Sequence, residues 1–138
     1  MVDVSQSLRD FENKVQEIHF LSIGDENKEV LFLLSNEHCA NPKMVSAHFS
    51  EGNWKTYTCE YQDTRKEACS VYVAEKYILL PWPSVIKSEA FRSICSNFGL
   101  SKLHQNSHVY WSKEIIEAVP GRWFKIIGRF PVKSKAFS

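Results

Sequence analysis

The segment between Met44 and Tyr61 constrains the fold more than any other part of the chain. Residues 44–50 and 54–61 each alternate apolar or aromatic side chains with polar ones, and Glu51-Gly52-Asn53 lies between them. A period of two puts successive side chains on opposite faces of a β-strand, and a short connection that contains glycine is typical of a hairpin. The sequence therefore predicts an antiparallel hairpin here, within a fold rich in β-structure.

Three apolar segments on either side of this hairpin also carry strand patterns. The run at 30–34 is short and bounded by polar residues, which favours a central strand buried on both faces over a helix. Residues 69–73 and 77–80 flank the turn Glu75-Lys76, and Pro81 ends the second of them. These two segments predict a second hairpin.

The C-terminal third is less regular. Residues 109–111 predict a short strand, and 112–119 a helical turn or two. Residues 123–132 alternate between two faces over their whole length. We expect them to form a last, long strand.

Two segments have helical spacing. Ser7, followed three residues later by Asp10, resembles a capping box and predicts a helix through about residue 17. A second helix is expected at about 84–98, with Gly99 as the C′ residue that ends it. The apolar stripe of this second helix consists of Phe91, Ile94, Cys95 and Phe98.

Together these elements predict an α+β fold and a single domain over residues 1–138, with a polar tail at about 133–138. We expect a small, mostly antiparallel, strongly curved sheet or a partly open β-barrel, with the N-terminal helix packed across it. The helix at about 84–98 precedes the last strands. This order resembles, at the level of fold alone, an oligonucleotide/oligosaccharide-binding (OB) barrel. A chain of 138 residues with this pattern also suits a module of a longer protein.

The sequence favours an intracellular location, nuclear or cytoplasmic, without membrane association. No apolar run reaches 18 residues, and the N-terminus lacks the basic and apolar regions of a secretory signal. The four cysteines Cys39, Cys59, Cys69 and Cys95 lie in apolar or strand-like settings. We expect them to be buried free thiols in a reducing compartment.

The charges of the chain are unevenly distributed. Residues 1–81 hold 8 Lys or Arg against 13 Asp or Glu, whereas residues 82–138 hold 9 against 3. The net charge of +1 conceals this asymmetry. Either the two halves interleave and neutralise one another at the surface, or the basic half meets an anionic partner.

If the basic half meets an anionic partner, the predicted last strand is the expected binding surface. Trp123, Lys125 and Arg129 share its face, and Lys133 follows. Basic side chains bind phosphates and a flat indole can stack on an unpaired base, which is typical of single-stranded RNA or DNA binding. The alternative is an edge strand that Lys and Arg protect from aggregation, with Trp123 packed under a loop.

No catalytic residue, metal ligand or cofactor is assigned. The sequence lacks the Gly-x-Ser-x-Gly, Walker A, dinucleotide-binding and His-Glu-x-x-His motifs, and no Cys-x-x-Cys complements His104-x-x-x-His108. A cryptic hydrolase or transferase stays open because catalytic groups can assemble from distant residues. A pocket that joins His48 or His108 to a cysteine or carboxylate would support it.

The aromatic content, 13% of the residues, favours a protein-binding surface. Trp82 lies between two prolines, where its ring either covers the core or is presented to a partner. Tyr110 and Trp111 pose the same choice. The leading hypothesis is a non-catalytic protein–protein interaction domain in an intracellular multiprotein or ribonucleoprotein complex, and the alternatives are an OB-like single-stranded nucleic-acid binder and a cryptic enzyme. The oligomeric state is not readable from these patterns.

Overall fold

A computed structural model describes residues 3–65 and 69–131, which form three helices and two four-stranded sheets. The helices are α1 (Val4–Asp10), α2 (Pro83–Lys87) and α3 (Phe91–Phe98), and a 3₁₀ turn covers Tyr61–Arg65. Sheet A consists of β1 (Val15–Ile23), β2 (Glu26–Leu34), β3 (Lys43–Ser50) and β4 (Asn53–Glu60). Sheet B consists of β5 (Tyr77–Pro81), β6 (Ser101–Lys102), β7 (Tyr110–Ser112) and β8 (Gly121–Lys125). The α+β class is confirmed, but the expected barrel is not found within the described residues.

Sheet A has the strand order β2-β1-β3-β4. It joins two antiparallel hairpins through the parallel pairing of β1 with β3. The predicted hairpin is confirmed as β3–β4. Its two turn residues, Glu51 and Gly52, have φ of 51° and 80°, the positive values that a tight two-residue hairpin turn needs.

The expected place of the 30–34 segment in the sheet is wrong. The segment does form a strand, but β2 lies at an edge of sheet A, and Leu31, Leu33 and Leu34 are exposed. A short apolar run indicates that a strand forms. Its position in the sheet depends on pairing with residues far away in the chain. Here the central positions belong to β1 and β3.

The first helix is shorter than expected. Its N-cap is Asp3, whose carboxylate accepts a hydrogen bond from the Gln6 amide at 3.1 Å, so the Ser7 cap is wrong. Glu12 and Asn13 have φ of 55° and 56°, which ends the helix after Asp10. The residues that follow form β1, because their pairing with β2 and β3 outweighs the helical spacing of their apolar side chains.

Sheet B has the order β6-β7-β5-β8 with antiparallel pairing throughout. The expected hairpin of 69–73 with 77–80 is wrong, since β5 pairs with β7 and β8 and residues 69–73 contribute one isolated bridge. The last strand ends at Lys125 instead of 132, a residue that lies outside the described ranges. The helical turns expected at 112–119 are wrong, since Ser112 ends β7 and residues 113–119 form bends and one turn.

The helix expected at about 84–98 is two helices. They are separated at Glu89, whose φ is 63°. Gly99, with φ of 65°, ends α3 as predicted, and Leu100 is buried after it. All three helices lie on one side of sheet A, where α2 contacts β1, β2 and β3.

The core lies between this side of sheet A, the helices and sheet B. Its largest wholly buried apolar side chains are Phe20, Ile18, Met44, Leu79 and Ile94. Within the described ranges no helix has both the length and the apolar character needed to span a membrane.

Two of the four cysteines depart from expectation. Cys69 and Cys95 form a disulfide that ties the segment before β5 to α3. Cys39 and Cys59 stay outside it, half-buried and buried respectively. Connectivity depends on tertiary distance, which spacing in the sequence does not reveal. The expectation of a reducing compartment was based on four free thiols, and the disulfide removes this basis.

Candidate functional sites

A cavity of about 250 Å³ lies where the β1–β2 turn, the junction of β5 with α2, and β8 come together. We call it the Trp82 cavity. Its lining residues are Gly24, Asp25, His48, Leu80, Pro81, Trp82, Pro83, Ile86, His108 and Arg122.

The position of Trp82 follows from its two prolines. Pro81 ends β5, and Pro83 begins α2, where its missing N–H costs no helical hydrogen bond. Trp82 is the extended N-cap between them, and its backbone N–H donates to the Pro120 carbonyl at 3.3 Å. The indole is half-buried at the cavity wall, so it is neither fully within the core nor freely presented.

His48 forms the wall next to Trp82. The imidazole and the indole stack with their centroids 5.3 Å apart and their planes 12° from parallel. His48 Nδ1 lies 2.8 Å from the hydroxyl oxygen of Ser22, and that oxygen lies 3.0 Å from Ser84 Oγ. The Ser22 hydroxyl has one proton and three neighbours that can accept it, namely Ser84 Oγ, the Ala47 carbonyl and His48 Nδ1, so either partner of the Nδ1–Ser22 hydrogen bond can be the donor.

Within the described part of the chain, the hydrogen bond of the His48 ring is made by Nδ1, and none is found at Nε2. Burial lowers the pKa of His48, which the nearby Asp25 carboxylate only partly opposes. At neutral pH the ring is therefore uncharged. His48 therefore adds an uncharged polar ring to the cavity wall.

Arg122 and His108 form the sheet B side of the cavity. Arg122 of β8 lines it directly, and His108 hydrogen-bonds the Tyr110 hydroxyl at 3.2 Å. Behind His108 lies Lys102, a buried residue whose Nζ is 5.4 Å from the Phe91 ring centroid. Burial lowers the pKa of Lys102, and burial together with the Lys102 charge lowers that of His108. This side of the cavity favours a negatively charged group.

The cavity brings two histidines and a carboxylate together, as the enzyme hypothesis requires. No cysteine or serine is among the described residues that line it, and Ser22 and Ser84 are wholly buried behind His48. The described ranges also contain no group of three His, Cys, Asp or Glu residues arranged to hold a metal.

The three residues predicted for protein binding do not form one surface. Tyr110 is wholly buried, with 0% exposure, so its place on a binding surface is wrong. Trp111 is half-buried and donates its indole N–H to the Tyr72 carbonyl at 3.0 Å. Trp82 belongs to the cavity.

The residues predicted for nucleic-acid binding are also dispersed. Trp123 is half-buried against the core, and its indole N–H donates to the Ile116 carbonyl at 3.1 Å. Lys125 is exposed at the end of β8, whereas Arg129 lies beyond the strand and Lys133 outside the described residues. The shared strand face expected for Trp123 and Arg129 is wrong because β8 ends before Arg129.

The sequence analysis missed the face of sheet A that points away from the helices, which we call the outer face. Its large apolar side chains are Leu21, Ile23, Leu31, Leu33, Phe49 and Trp54. The Phe49 and Trp54 rings lie with their centroids 5.3 Å apart. The assumption that 30–34 was buried on both sides concealed this surface.

Comparisons with known proteins support the fold and give it a context. Residues 77–120 match a family model described as a ferredoxin-like domain. The chain is also similar to a crystal structure of a "putative methyltransferase" from Porphyromonas gingivalis W83, with a TM-score of 0.79 and 25% identity. The match covers 92% of this chain and 33% of the solved one, so this chain spans about a third of that protein's length. Among curated proteins no match was found.

Proposed function

We propose that this chain is a non-catalytic protein-interaction domain that binds its partner through the outer face of sheet A. The observation that carries the proposal is the exposure of large apolar side chains across this face. Leu31 is 44% exposed, Leu33 42% and Trp54 51%, while all three helices cover the opposite side of the sheet. Contiguous apolar patches of this kind typically mark protein interfaces, because burying them in a complex removes them from water.

The partner that we propose is a catalytic unit of the methyltransferase type. The similar protein from Porphyromonas gingivalis W83 carries that description, and two thirds of its length lie outside the matched region. Since no serine or cysteine is among the described residues that line the Trp82 cavity, a role in recognition or positioning beside such a unit fits this domain. Glu17, Glu29 and Glu60 lie at the rim of the outer face, and Lys43 lies between Glu17 and Glu60. The acidic excess favours a partner with basic residues around an apolar patch.

A pair of charged substitutions tests the outer face. Leu31→Lys with Leu33→Lys should lower the affinity for the partner by about 10-fold or more, because both side chains become buried in the complex. The free energy of unfolding should fall by about 1–2 kcal/mol, since each side chain is already more than two-fifths exposed in the free chain and loses only part of its apolar burial. Affinity purification with quantitative mass spectrometry measures recovery of the partner, and denaturation measures the stability.

Ile127→Lys is the matched control, since Ile127 is 96% exposed and lies outside both sheets. It should leave recovery of the methyltransferase-type polypeptide unchanged. Equal recovery by the double variant and this control would contradict the proposal.

Single-stranded nucleic-acid binding through Trp123 and the basic residues of the last strand has weaker support than protein binding through the outer face. A stacking platform needs an open aromatic face, and Trp123 is packed against the core. The basic residues Arg92, Lys102 and Arg122 nevertheless all belong to α3 or sheet B. If single-stranded nucleic acid binds, oligonucleotide affinity should fall steeply with added salt.

A further inference from the structure

We infer that the Trp82 cavity is a binding site for a nucleotide, a flat nitrogen heterocycle joined to a phosphate. Three chemical features of its wall converge on this class of ligand: an aromatic stack, hydrogen-bond acceptors and a permanent cation. The site is separate from the outer face and does not depend on protein docking.

The aromatic feature is the His48–Trp82 stack. The two rings stack on each other at the cavity wall, with centroids 5.3 Å apart and planes 12° from parallel, so each ring keeps one face for a further flat ring. The hydrogen bond between Nδ1 and Ser22 and the stack itself hold the imidazole, while the flanking prolines hold the tryptophan backbone. A preformed flat surface suits the π-face of a nucleobase, whose stacking is worth about 1–3 kcal/mol.

The acceptors select for N–H groups on that base. Asp25 is the only carboxylate among the described lining residues, and both of its oxygens accept hydrogen bonds. Ring N–H and exocyclic amino groups are the donors of nucleobases. Lipid chains and simple sugar phosphates offer no flat ring with such donors.

The permanent cation of the wall, Arg122, would bind the phosphate of the nucleotide. Arg122 is the only Lys or Arg among the described lining residues, and no ion pair of Arg122 with a carboxylate is found within the described ranges. Its guanidinium lies over the Phe124 ring, with Cζ 5.3 Å from the ring centroid. Lys102, behind His108, adds positive potential on the same side. A planar guanidinium can bind two phosphate oxygens at once.

The size of the cavity limits the ligand. At about 250 Å³ it is slightly smaller than the pockets of about 300–1,000 Å³ that hold drug-sized ligands. One nucleotide, partly open to solvent, matches this volume better than a longer segment. The nucleotide can be free, or it can be one unpaired residue of a strand.

Isothermal titration of the wild-type chain tests the inference. The ligands are AMP, CMP, GMP and UMP, the four matching nucleosides, and a single-stranded oligonucleotide. At least one nucleotide should bind more tightly than its nucleoside, by on the order of 10-fold, through the charged hydrogen bonds to Arg122. Arg122→Gln should remove this difference.

Lys125→Gln is the matched control, because Lys125 is exposed on the same strand but alternates to the opposite face from Arg122. It should bind like the wild type. Trp82→Leu should weaken nucleotide and nucleoside together, and the variant Leu31→Lys with Leu33→Lys should bind both normally.

The titrations distinguish a free nucleotide from a nucleotide within a strand. Arg122-dependent binding of mononucleotides identifies a free nucleotide as the ligand, and Arg122-dependent binding of the oligonucleotide alone identifies a nucleotide within a strand. Absence of binding by all nucleotides and by the oligonucleotide would overturn the inference. Equal losses in Arg122→Gln and Lys125→Gln would overturn it as well.

Discussion

Gly121 is the position at which a single methyl group should disturb the chain most. It is the first residue of β8 and pairs with Pro81 at the end of β5. A Cβ added there would lie 2.6 Å from the Leu80 carbonyl oxygen, 2.7 Å from Leu79 Cδ1 and 2.9 Å from Pro81 Cα. Two of these atoms belong to the backbone of β5, so a side-chain rotation cannot relieve the contact.

We expect Gly121→Ala to lower the free energy of unfolding by about 2 kcal/mol. Overpacking of this kind typically costs about 1–3 kcal/mol. Alanine also has less conformational freedom than glycine in the unfolded chain, which offsets about 0.4–1 kcal/mol of this overpacking cost. For a chain of this length, a net loss of about 2 kcal/mol lowers Tm by roughly 6–10 °C. Because Arg122 follows directly, the same change should also disturb the Trp82 cavity.

Urea denaturation followed by circular dichroism measures this effect. The matched control is Gly128→Ala, where the nearest atom to the added Cβ is the Phe130 ring at 3.2 Å, on an exposed segment that can move. We expect the control to stay within about 0.5 kcal/mol of the wild type. A Gly121→Ala variant as stable as this control would refute the close approach of β5 and β8.

Two further predictions concern the disulfide and the buried histidines. Reduction of Cys69–Cys95, which are 26 residues apart, should cost about 3.5 kcal/mol in a denaturation experiment, whereas Cys39→Ser should have little effect; equal effects would contradict the link. Burial lowers the pKa of His48 and His108, so the unfolded chain binds more protons below about pH 6.5. The free energy of unfolding should therefore fall between pH 7.5 and 5.5. His48→Asn with His108→Asn should lose most of this fall, and an unchanged pH dependence would count against it.

Local sequence signals predicted those parts of the fold that depend on a few neighbouring residues. The β3–β4 hairpin follows from alternation around Gly52, and the end of α3 follows from the left-handed conformation that Gly99 adopts without strain. Both features depend on a few residues that are adjacent in the sequence.

The features that the sequence did not reveal depend on long-range pairing. The 30–34 segment has the pattern of a buried strand, yet β2 became an edge because β3 pairs with the other side of β1. The Cys69–Cys95 disulfide likewise joins segments whose separation in space is set by the whole fold.

The candidate sites show the same limit. The two prolines mark Trp82 in the sequence, but nothing in the sequence indicates its stacking on His48 of β3, 34 positions earlier. Arg122 drew no attention because it precedes the alternating segment that was interpreted as the binding strand. Only the tertiary structure brings these three residues to one cavity.

Site-specific photo-crosslinking tests the central claim, a partner docked on the outer face, most directly. A photoreactive amino acid would replace Leu33 or Trp54 on this face and, as the control, Lys125 of β8. Products formed in extracts of the source cells would be identified by mass spectrometry. The account predicts that positions 33 and 54 both crosslink to one methyltransferase-type polypeptide while position 125 does not. Crosslinks to that polypeptide from position 125 alone, or no product from positions 33 and 54, would contradict it.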